Sequence, residues 1–470
     1  MREPASPSPA AAAGALPARR SAAGLAAANS PKPGRMSGPF ATVLAMRFLH
    51  TSDWHLGCSL HRADLRAAQA AFLDHLAETA RSERVDAVLI AGDVYDRAIP
   101  PVDAVALYED ALARLRAAGA RVILISGNHD SARRLGVNSA LIDASGVHLR
   151  TRPAALAAPV LLNDTHGEIA VYGVPYLEPA LAAPLLGDPA LGDPALGDPA
   201  LGDAAPGDPH LADPRDTRGP RSHASVLGGA LGRIRADATA RGTARTVVLA
   251  HAWVTNGRDE RERAEAASQQ ASASERDISV GGIGYVPAGL FDGFSYAALG
   301  HLHGRQTLAP HLRYSGSPLP YSFSEKDHHK GSWLVDIAAD GTASADWVPA
   351  PVHRRLAVLT GRLDDLLTER QHNGREQDFL AVTLTDSVRP DGAMDRLRAR
   401  FPHVLTLEFK PDGVTADSRS YGEKVRGRDD LAVAAEFVAH VRNSGPTSHE
   451  RELLAAAFTA VRVAHDDGGR

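Results

Sequence analysis

The sequence predicts an α/β fold, on three observations. Short apolar runs alternate with helical stretches rich in Ala, Leu and Arg, over residues 48–49, 65–80, 85–91, 102–118 and 122–126. This order of strand, helix, strand, helix, strand is typical of α/β layer architectures. Polar clusters follow several of the apolar runs, and loops that leave the C-terminal ends of strands gather at one edge of such a sheet. The alternation therefore also predicts where a site should form.

Composition limits the class of protein. The chain has 470 residues, 44% of them apolar and 23% charged, which is ample for a buried core and for more than one domain. Lys and Arg number 51 against 56 Asp and Glu, a formal net charge of −5. The whole chain therefore lacks the basic signature of many nucleic-acid-binding proteins, and any such contact must come from a local patch or a partner.

One cysteine, Cys58, excludes an intramolecular disulfide and a cysteine-rich zinc site, so the cytoplasm is the expected compartment. The sequence contains no run of about 18 apolar residues, so no membrane-spanning helix is expected. The N-terminal segment, interrupted by Pro31, Pro33 and Gly34, is expected to be neither a signal peptide nor an anchor.

Two segments have the composition of unfolded chain. Residues 1–45 are dominated by Ala, Pro, Ser and Gly and are expected to be disordered, with folded structure starting at Met46. Met36 and Met46 are both alternative start sites. Within residues 180–220, the pentapeptide Leu-Gly-Asp-Pro-Ala repeats from Leu186, and its regular prolines predict a linker or surface insertion.

The C-terminal part predicts two further units. Residues 351–428 show short strands and helices, and residues 429–470 contain two amphipathic helices. Thr447 and Glu450 form a capping-box pattern at the start of the second helix. One face of each helix is apolar, so the pair packs either on this chain's core or on another chain. The sequence leaves that choice open.

Polar clusters at predicted strand ends carry the chemistry. They are Asp53-Trp54-His55, Gly92-Asp93-Val94-Tyr95-Asp96, Gly127-Asn128-His129-Asp130, Gly300-His301-Leu302-His303 and the single His251. Residues two apart on an extended backbone leave on one face, so each pair of donors can converge on one ion. Taken alone, a cluster of this kind is more often an ordinary turn or a hydrogen-bonded histidine than a metal site. Their conjunction predicts a site for Mn, Fe or Zn.

In this order the clusters resemble the calcineurin-like metallophosphoesterase superfamily. Residues 51–57, 298–303 and 314–325, the last containing Ser315-Gly316-Ser317-Pro318, are similar to the SbcD family of nuclease subunits from bacterial SbcCD complexes. The resemblance implies a four-layer α/β fold, a β-sandwich flanked by helices, over residues 46–350. It also implies a small α+β capping domain over 351–428 and a C-terminal helical pair that binds a partner.

The resemblance further implies the roles of individual residues. One divalent metal ion would be held by Asp53, His55, Asp93 and His303, and a second by Asn128, His251, His301 and the shared Asp93. A bridging carboxylate keeps two cations about 3.5 to 4 Å apart, where both can grip one phosphate. His129 would act as the catalytic acid, Asp96 would orient it, and Mn²⁺ is the expected metal.

The function implied by the resemblance is DNA cleavage. It comprises 3′-to-5′ exonuclease activity on duplexes and endonuclease activity on single strands and hairpins, in DNA repair, recombination and replication. The expected partners are DNA and a coiled-coil ATPase of the SbcC type, with this chain as a homodimer in a heterotetramer. A phosphatase or small-molecule phosphodiesterase of the same superfamily, and a scaffold that tethers the ATPase, remain alternatives. The arginines of residues 351–425, balanced by acids, predict DNA contact only weakly, and Ser315 and Ser317 either shape the site or form an ordinary turn.

Overall fold

The computed structural model describes residues 45–186, 222–256, 284–412, 429–442 and 444–467. The predictions of a disordered N-terminal extension and of a pentapeptide linker fall almost entirely outside these ranges. Residues 180–186 of the predicted insertion are described, and they belong to a helix instead. None of the helices in the described ranges is long and apolar enough to cross a membrane.

The strands follow the apolar runs of the sequence. In chain order they are β1 Met46–Thr51, β2 Ser59–Leu60, β3 Ala63–Asp64, β4 Ala87–Ala91, β5 Arg121–Ile125, β6 Val147–Leu149, β7 Val160–Asp164, β8 Gly167–Val174, β9 Thr246–His251, β10 Trp253–Thr255, β11 Tyr285–Pro287, β12 Tyr296–Gly300, β13 Gln306–Ala309, β14 Leu312–Tyr314, β15 Gly331–Ile337, β16 Ala343–Pro349, β17 Leu356–Gly361, β18 Phe379–Leu384 and β19 Val404–Phe409.

The helices fall where the sequence is rich in Ala, Leu and Arg. They are α1 Arg66–Ser82, α2 Val102–Ala117, α3 Ala132–Leu135, α4 Ser139–Ile142, α5 Pro179–Leu186, α6 His223–Arg241, α7 Leu363–Thr368, α8 Ala393–Arg400, α9 Asp430–Arg442 and α10 Ser448–Asp467.

Two six-stranded sheets form the centre of the molecule. The first has the order β16-β15-β1-β4-β5-β6 and the second the order β13-β14-β12-β9-β8-β7. Each sheet contains four consecutive parallel strands: β1, β4, β5 and β6 in the first, and β14, β12, β9 and β8 in the second. In the first sheet β15 and β16 add antiparallel strands beside β1. Strands buried on both faces read as continuous apolar runs, which is why the sequence pattern identified them.

Three apolar clusters stack across these sheets. One cluster joins the facing sides of the two sheets through residues such as Phe48, Leu89 and Tyr296. A second packs α1 and α2 on the outer side of the first sheet, and a third packs α6 on the outer side of the second. Each sheet thus buries both faces, and the predicted four-layer arrangement is confirmed.

A separate small core lies C-terminal to the sandwich. Strands β17, β18 and β19 form a three-stranded sheet covered by α7 and α8, around the buried Leu380, Leu397 and Phe401. All three strands are parallel. The expectation was an α+β unit, and the structure shows an α/β unit instead. A helix in each connection carries the chain back to the end of the sheet where the previous strand began, so the next strand runs parallel to it.

The two C-terminal helices pair with each other. Arg442 of α9 forms a two-fold ion pair with Glu450 of α10 at 2.6 and 2.9 Å. The predicted capping box is confirmed: Glu450 N donates to Thr447 Oγ1, and Thr447 N donates to Glu450 Oε2. Phe437 and Leu453 remain more than half exposed on this pair.

Candidate metal centre

Five strand ends meet at one edge of the sandwich. In the first sheet β1, β4 and β5 are followed by Asp53, Asp93 and Asn128, and in the second β9 and β12 lead into His251 and His301. Because these strands are parallel within each sheet, their C-terminal ends lie on the same side. The polar clusters separated in sequence are therefore brought together.

Main-chain hydrogen bonds fix the loops that carry these groups. Asp53 N donates to Gly92 O at 3.0 Å and His55 N donates to Asp93 O at 3.0 Å, so the loop after β1 is tied to the loop after β4. The second sheet is tied to the first by His301 N, which donates to Asp53 Oδ1 at 3.0 Å. The candidate donors are consequently held by the backbone, in addition to their own packing.

Three overlapping groups of side chains could each hold an ion. Within each group, the ligand atoms lie within 4.8 Å of one another: Asp53, His55 and His303; Asp53, Asp93 and His251; His55, Asp93 and His129. Asn128 joins them because its Oδ1 lies 2.9 Å from His251 Nε2. His301 joins them through its ring, whose centroid lies 5.4 Å from that of His251.

The donor chemistry fits divalent cations. His301 Nε2 is buried and has no hydrogen-bond partner among the described residues. Nε2 of His55 and Nε2 of His303 lie only 3.2 Å apart. An orphaned buried nitrogen is costly in a protein interior unless a cation or a water satisfies it, and two facing imidazole nitrogens can share either a proton or a cation. The set contains only nitrogen and oxygen donors, which suits Mn, Fe or Zn.

The pKa values of His55 and Asp93 favour metal binding. Burial lowers the pKa of His55 to about 3, so its ring is the neutral form that binds metals. Burial opposes ionisation of Asp93, but the neighbouring His251 and His55 outweigh it and hold the pKa of that carboxyl well below its usual range. Burial also opposes protonation of His251, yet Asp93 raises its pKa to about 9, so a metal ion at this imidazole would have to displace a proton. The carboxylate at the centre stays negative.

Four of the donors have strained backbone angles. Asp53, His55, Asp93 and His301 have φ values of 54°, 43°, 48° and 109°, the left-handed region that side chains with a Cβ rarely adopt. Strain of this kind costs on the order of 1–3 kcal/mol per residue and persists where the surroundings hold a functional geometry.

One glycine permits the close approach of the loops. Gly92 has φ +93°, and a Cβ there would lie 2.4 Å from His251 Nδ1. Nδ1 of His251 donates to Ala91 O at 2.9 Å, which turns Nε2 toward Asp93 at 3.4 Å. Gly92 therefore leaves the space in which this imidazole is oriented.

His129 lies beside the donors and is partly exposed. Its main-chain N donates to Asp93 Oδ1 at 2.9 Å, and its Nδ1 donates to the main-chain carbonyl of Asp96 at 2.8 Å. The expectation was that the Asp96 carboxylate orients this ring. That carboxylate instead lies 3.8 Å from His55 Nδ1, so in this structure the contact between Asp96 and His129 is made by the backbone.

Sequence reasoning gave no role to several buried groups around the donors. Asp130 accepts from the backbone N–H groups of Val94, Tyr95 and Gly127 and so links the loops after β4 and β5. Glu325 contacts His303, and Ser52 contacts Asp53. Glu325 ends the segment that carried the family resemblance, which was the only signal available for it.

Comparison with family models identifies the class of domain that carries the candidate donors. Residues 46–174 match the model described as calcineurin-like phosphoesterase. With the four-layer fold and the clustered donors, this match identifies residues 46–174 as a calcineurin-like phosphoesterase domain, the domain of metal-dependent phosphoesterases.

The second comparison narrows the class. Residues 352–442 match the SbcD_C model, described as the type 5 capsule protein repressor C-terminal domain, and so the chain carries the C-terminal domain of SbcD-like proteins. Among solved structures, TT1561 of Thermus thermophilus is 14% identical, with a TM-score of 0.32, over 64% of this chain and 99% of that one. A beta-glucosidase from Exiguobacterium marinum is 11% identical, with a TM-score of 0.21, over 78% and 89%. Neither overall likeness is close enough to bear on fold or function.

Proposed function

We propose that this protein is a two-metal DNA nuclease of the SbcD type. One divalent ion is held by Asp53, His55, His303 and Asp93, and the other by Asn128, His251, His301 and the same Asp93. The observation that carries the proposal is the meeting of these seven side chains at one sandwich edge, with His301 Nε2 left without a partner among the described residues. Mn²⁺ is the proposed native ion, because the SbcD-like sequence motifs imply it and it is among the ions that imidazoles, carboxylates and an amide oxygen suit.

The chemistry follows from the positions of these groups. A bound pair of divalent cations would neutralise phosphodiester oxygens and acidify a water for in-line attack. His129 is the one histidine of the cluster that is partly open to solvent, and its Nδ1 already donates to a carbonyl. Its Nε2 is therefore the atom that can donate a hydrogen bond or proton to the phosphate or the leaving oxygen. Asp96 positions the ring through its main chain.

A basic cavity supports a nucleic-acid substrate over a small phosphoester. It has a volume of about 810 Å³ and lies between the sandwich and the strand β17. Its cationic lining residues are Arg305, Lys326, Lys330, Arg354, Arg355 and Arg375, against two acids, Glu325 and Asp327. Lys330 is paired with Glu325, Lys326 with Asp327 and Arg375 with Asp378. Arg305, Arg354 and Arg355 therefore supply the excess positive charge that would attract a phosphate backbone, in a chain with a net charge of −5.

The structure separates the arginines of the C-terminal unit. Arg396 is paired with Asp364, Arg398 donates to Val404 O at 3.5 Å, and Arg400 donates to Leu366 O. Those three are bonded within their own unit. Arg354 also donates to the main-chain carbonyl of Gln377, but it lines the cavity together with Arg355. The proposal therefore places any DNA contact of this unit at Arg354 and Arg355.

We further propose a coiled-coil ATPase of the SbcC type as partner of α9 and α10. Leu431 and Val438 of the predicted apolar face are only half-buried, and Phe437 and Val441 are more than half exposed. Deleting residues after Arg428 should abolish co-purification with the ATPase while Mn²⁺ binding survives. Retained binding of the ATPase would place these helices on this chain's own core instead.

The proposed homodimer can be tested at exposed apolar side chains. Val102 at the start of α2 is 83% exposed and Leu141 of α4 is 78% exposed, and a dimer contact there would remove both from water. Replacing both with Lys should shift the chain to a monomer in analytical ultracentrifugation. An unchanged sedimentation coefficient would exclude these residues from the dimer contact.

Two substitutions test the nuclease proposal on labelled duplex and hairpin DNA with Mn²⁺. Asp93→Ala should abolish both cleavage and tight Mn²⁺ binding. His129→Ala should lower the rate by about 10²- to 10⁴-fold while two Mn²⁺ remain bound, because a general acid contributes that much. Asp346→Ala and His166→Ala, at exposed positions outside the site, serve as controls. A kinetic preference for phosphoserine or cyclic nucleotides over DNA would favour the phosphatase alternative, and an inactive chain that still binds the ATPase would favour the scaffold.

A further inference from the structure

The Ser315-Gly316-Ser317 turn lies against two of the candidate ligands. Ser315 Oγ is 2.8 Å from Ser52 Oγ, and Ser52 Oγ donates to Asp53 Oδ2 at 2.5 Å. Gly316 has φ +73°, and a Cβ at this position would lie 2.5 Å from the main-chain oxygen of His303. The turn is therefore packed directly on the backbone that presents His303, which explains why a glycine separates the two serines.

A buried ion pair continues from this turn to the ring of His303. Glu325 Oε1 accepts a hydrogen bond from His303 Nδ1 at 3.1 Å, and Glu325 Oε2 accepts one from Lys330 Nζ at 2.5 Å. Lys330 Nζ also donates to His303 O at 2.9 Å and to Ser317 Oγ at 2.8 Å. Glu325 is 2% exposed, so its charge is compensated almost entirely by Lys330 and by the ring.

This arrangement determines which nitrogen of His303 carries the proton. A carboxylate can only accept, so Nδ1 must be the protonated nitrogen, and the lone pair of Nε2 is left to face His55 Nε2 at 3.2 Å. Carboxylates behind ligating histidines are known in proteins to fix the tautomer and raise ligand basicity. Lys330 keeps Glu325 in place by taking up its second oxygen.

Resting on the proposed two-metal function, we propose that Glu325 and Lys330, anchored by the Ser-Gly-Ser turn, are positioning residues for one of the two metal positions. That position is the one defined by Asp53, His55 and His303. The ligands Asn128, His251 and His301 of the other position are oriented by different groups, such as Ala91 O behind His251. Glu325 and Lys330 should therefore affect the binding of only one of the two ions.

Glu325→Gln is the sharpest test because an amide has a single acceptor oxygen. If that oxygen accepts from Lys330, the amide NH₂ faces His303 Nδ1 and forces the proton onto Nε2, where it blocks the metal-binding lone pair. If the amide turns over, Lys330 loses its charged acceptor. Either outcome weakens the same metal position while the side-chain volume stays nearly constant.

The experiment is Mn²⁺ titration of the full chain by calorimetry, with bound Mn²⁺ counted by electron paramagnetic resonance. Wild type should bind two Mn²⁺ per chain. Glu325→Gln should keep one site and weaken the other by about 10- to 100-fold, the usual effect of removing such a partner. DNA cleavage by this variant should recover at saturating Mn²⁺, so the activation constant for Mn²⁺ rises while kcat is largely retained.

The matched control is Glu168→Gln, since Glu168 accepts from Thr243 Oγ1 near the start of β8 and should give a wild-type titration. Lys330→Met is the second variant, which decides the question if Glu325→Gln does not fold, and it too should weaken one site. Unchanged Mn²⁺ affinity in both variants, or equal weakening of both sites, would overturn the inference. A wild-type chain that binds no Mn²⁺ would instead refute the proposed function.

Discussion

Gly92→Ala tests whether close packing of the backbone on His251 shapes the site. Gly92 and Gly119 have almost the same backbone angle, φ +93° and +92°, but differ in their surroundings. A Cβ on Gly92 would lie 2.4 Å from His251 Nδ1 and 3.0 Å from Gly127 Cα, whereas a Cβ on Gly119 meets nothing within 4 Å. Gly119→Ala therefore measures the cost of the angle alone, and Gly92→Ala measures that cost plus crowding.

The expected magnitudes follow from these contacts. Adopting a left-handed angle costs an alanine about 1–2 kcal/mol, which is the full expected loss of unfolding free energy for Gly119→Ala. Gly92→Ala adds about 1–3 kcal/mol for overpacking and about 0.5–1.5 kcal/mol for the hydrogen bond from His251 to Ala91 O. The two variants should thus differ by about 1.5–4.5 kcal/mol, because entropy effects in the unfolded chain are the same for both.

Urea denaturation of both variants and wild type gives this difference directly. Mn²⁺ titration of the same samples should show weakened binding for Gly92→Ala and wild-type binding for Gly119→Ala. If the two variants lose equal stability, or if Gly92→Ala binds Mn²⁺ normally, then the crowding does not orient His251 and the reasoning fails.

Three further predictions concern parts of the molecule away from Gly92. Leu397→Ala should cost about 2–5 kcal/mol, since this side chain is fully buried in the C-terminal core, and urea denaturation with the exposed Val388→Ala as control measures it. Arg245, which forms two bonds of 2.7 Å to Asp164, lowers the pKa of that carboxyl. The ion pair therefore stabilises the fold above the unfolded pKa of about 3.9, and this contribution is lost as pH falls through the lower folded pKa. The difference in unfolding free energy between wild type and Arg245→Met should be constant above about pH 5 and shrink below it. A difference that stays constant down to about pH 3 would contradict this. Mn²⁺ at 100 times its dissociation constant should stabilise wild type by about 2.7 kcal/mol per site over chelator-treated protein in thermal unfolding, and Asp93→Ala should show no such gain.

Continuous apolar runs made the first half of the fold predictable from sequence. The runs at 85–91 and 122–126 became β4 and β5, and the helical stretch at 102–118 became α2. The pairing of strands was not predictable in this way. Strand β1 pairs with β15, whose residues follow nearly 290 positions later, and no local pattern specifies such a partner. The parallel direction of β17, β18 and β19 was missed for the same reason.

The candidate donors were predictable as residue types at strand ends, but their supporting contacts were not. Asp53 and His55 stand out because two ligand-competent side chains follow one apolar run. Glu325 and Lys330 do not stand out, since a Glu and a Lys five residues apart are common on protein surfaces. Only the fold shows that both are buried and share contacts with His303. The role of the Asp96 main chain was likewise invisible, because sequence motifs report side chains.

The strained backbone angles of the donors and the buried nitrogen of His301 are both energetic costs that the rest of the fold must offset. Asp53, His55, Asp93 and His301 keep unfavourable backbone angles, and the buried Nε2 of His301 has no partner within the described ranges. A folded chain retains such costs only where other interactions exceed them, here the main-chain bonds between the loops and the two cores on either side of the first sheet. We therefore expect the chain's own contacts to organise the site, so that metal binding relieves a cost that folding imposes. A preorganised site of this kind should bind Mn²⁺ without a large change in the far-ultraviolet circular dichroism, whereas a large increase in secondary structure on adding Mn²⁺ would show that the ions, and not the two sheets, assemble the donors.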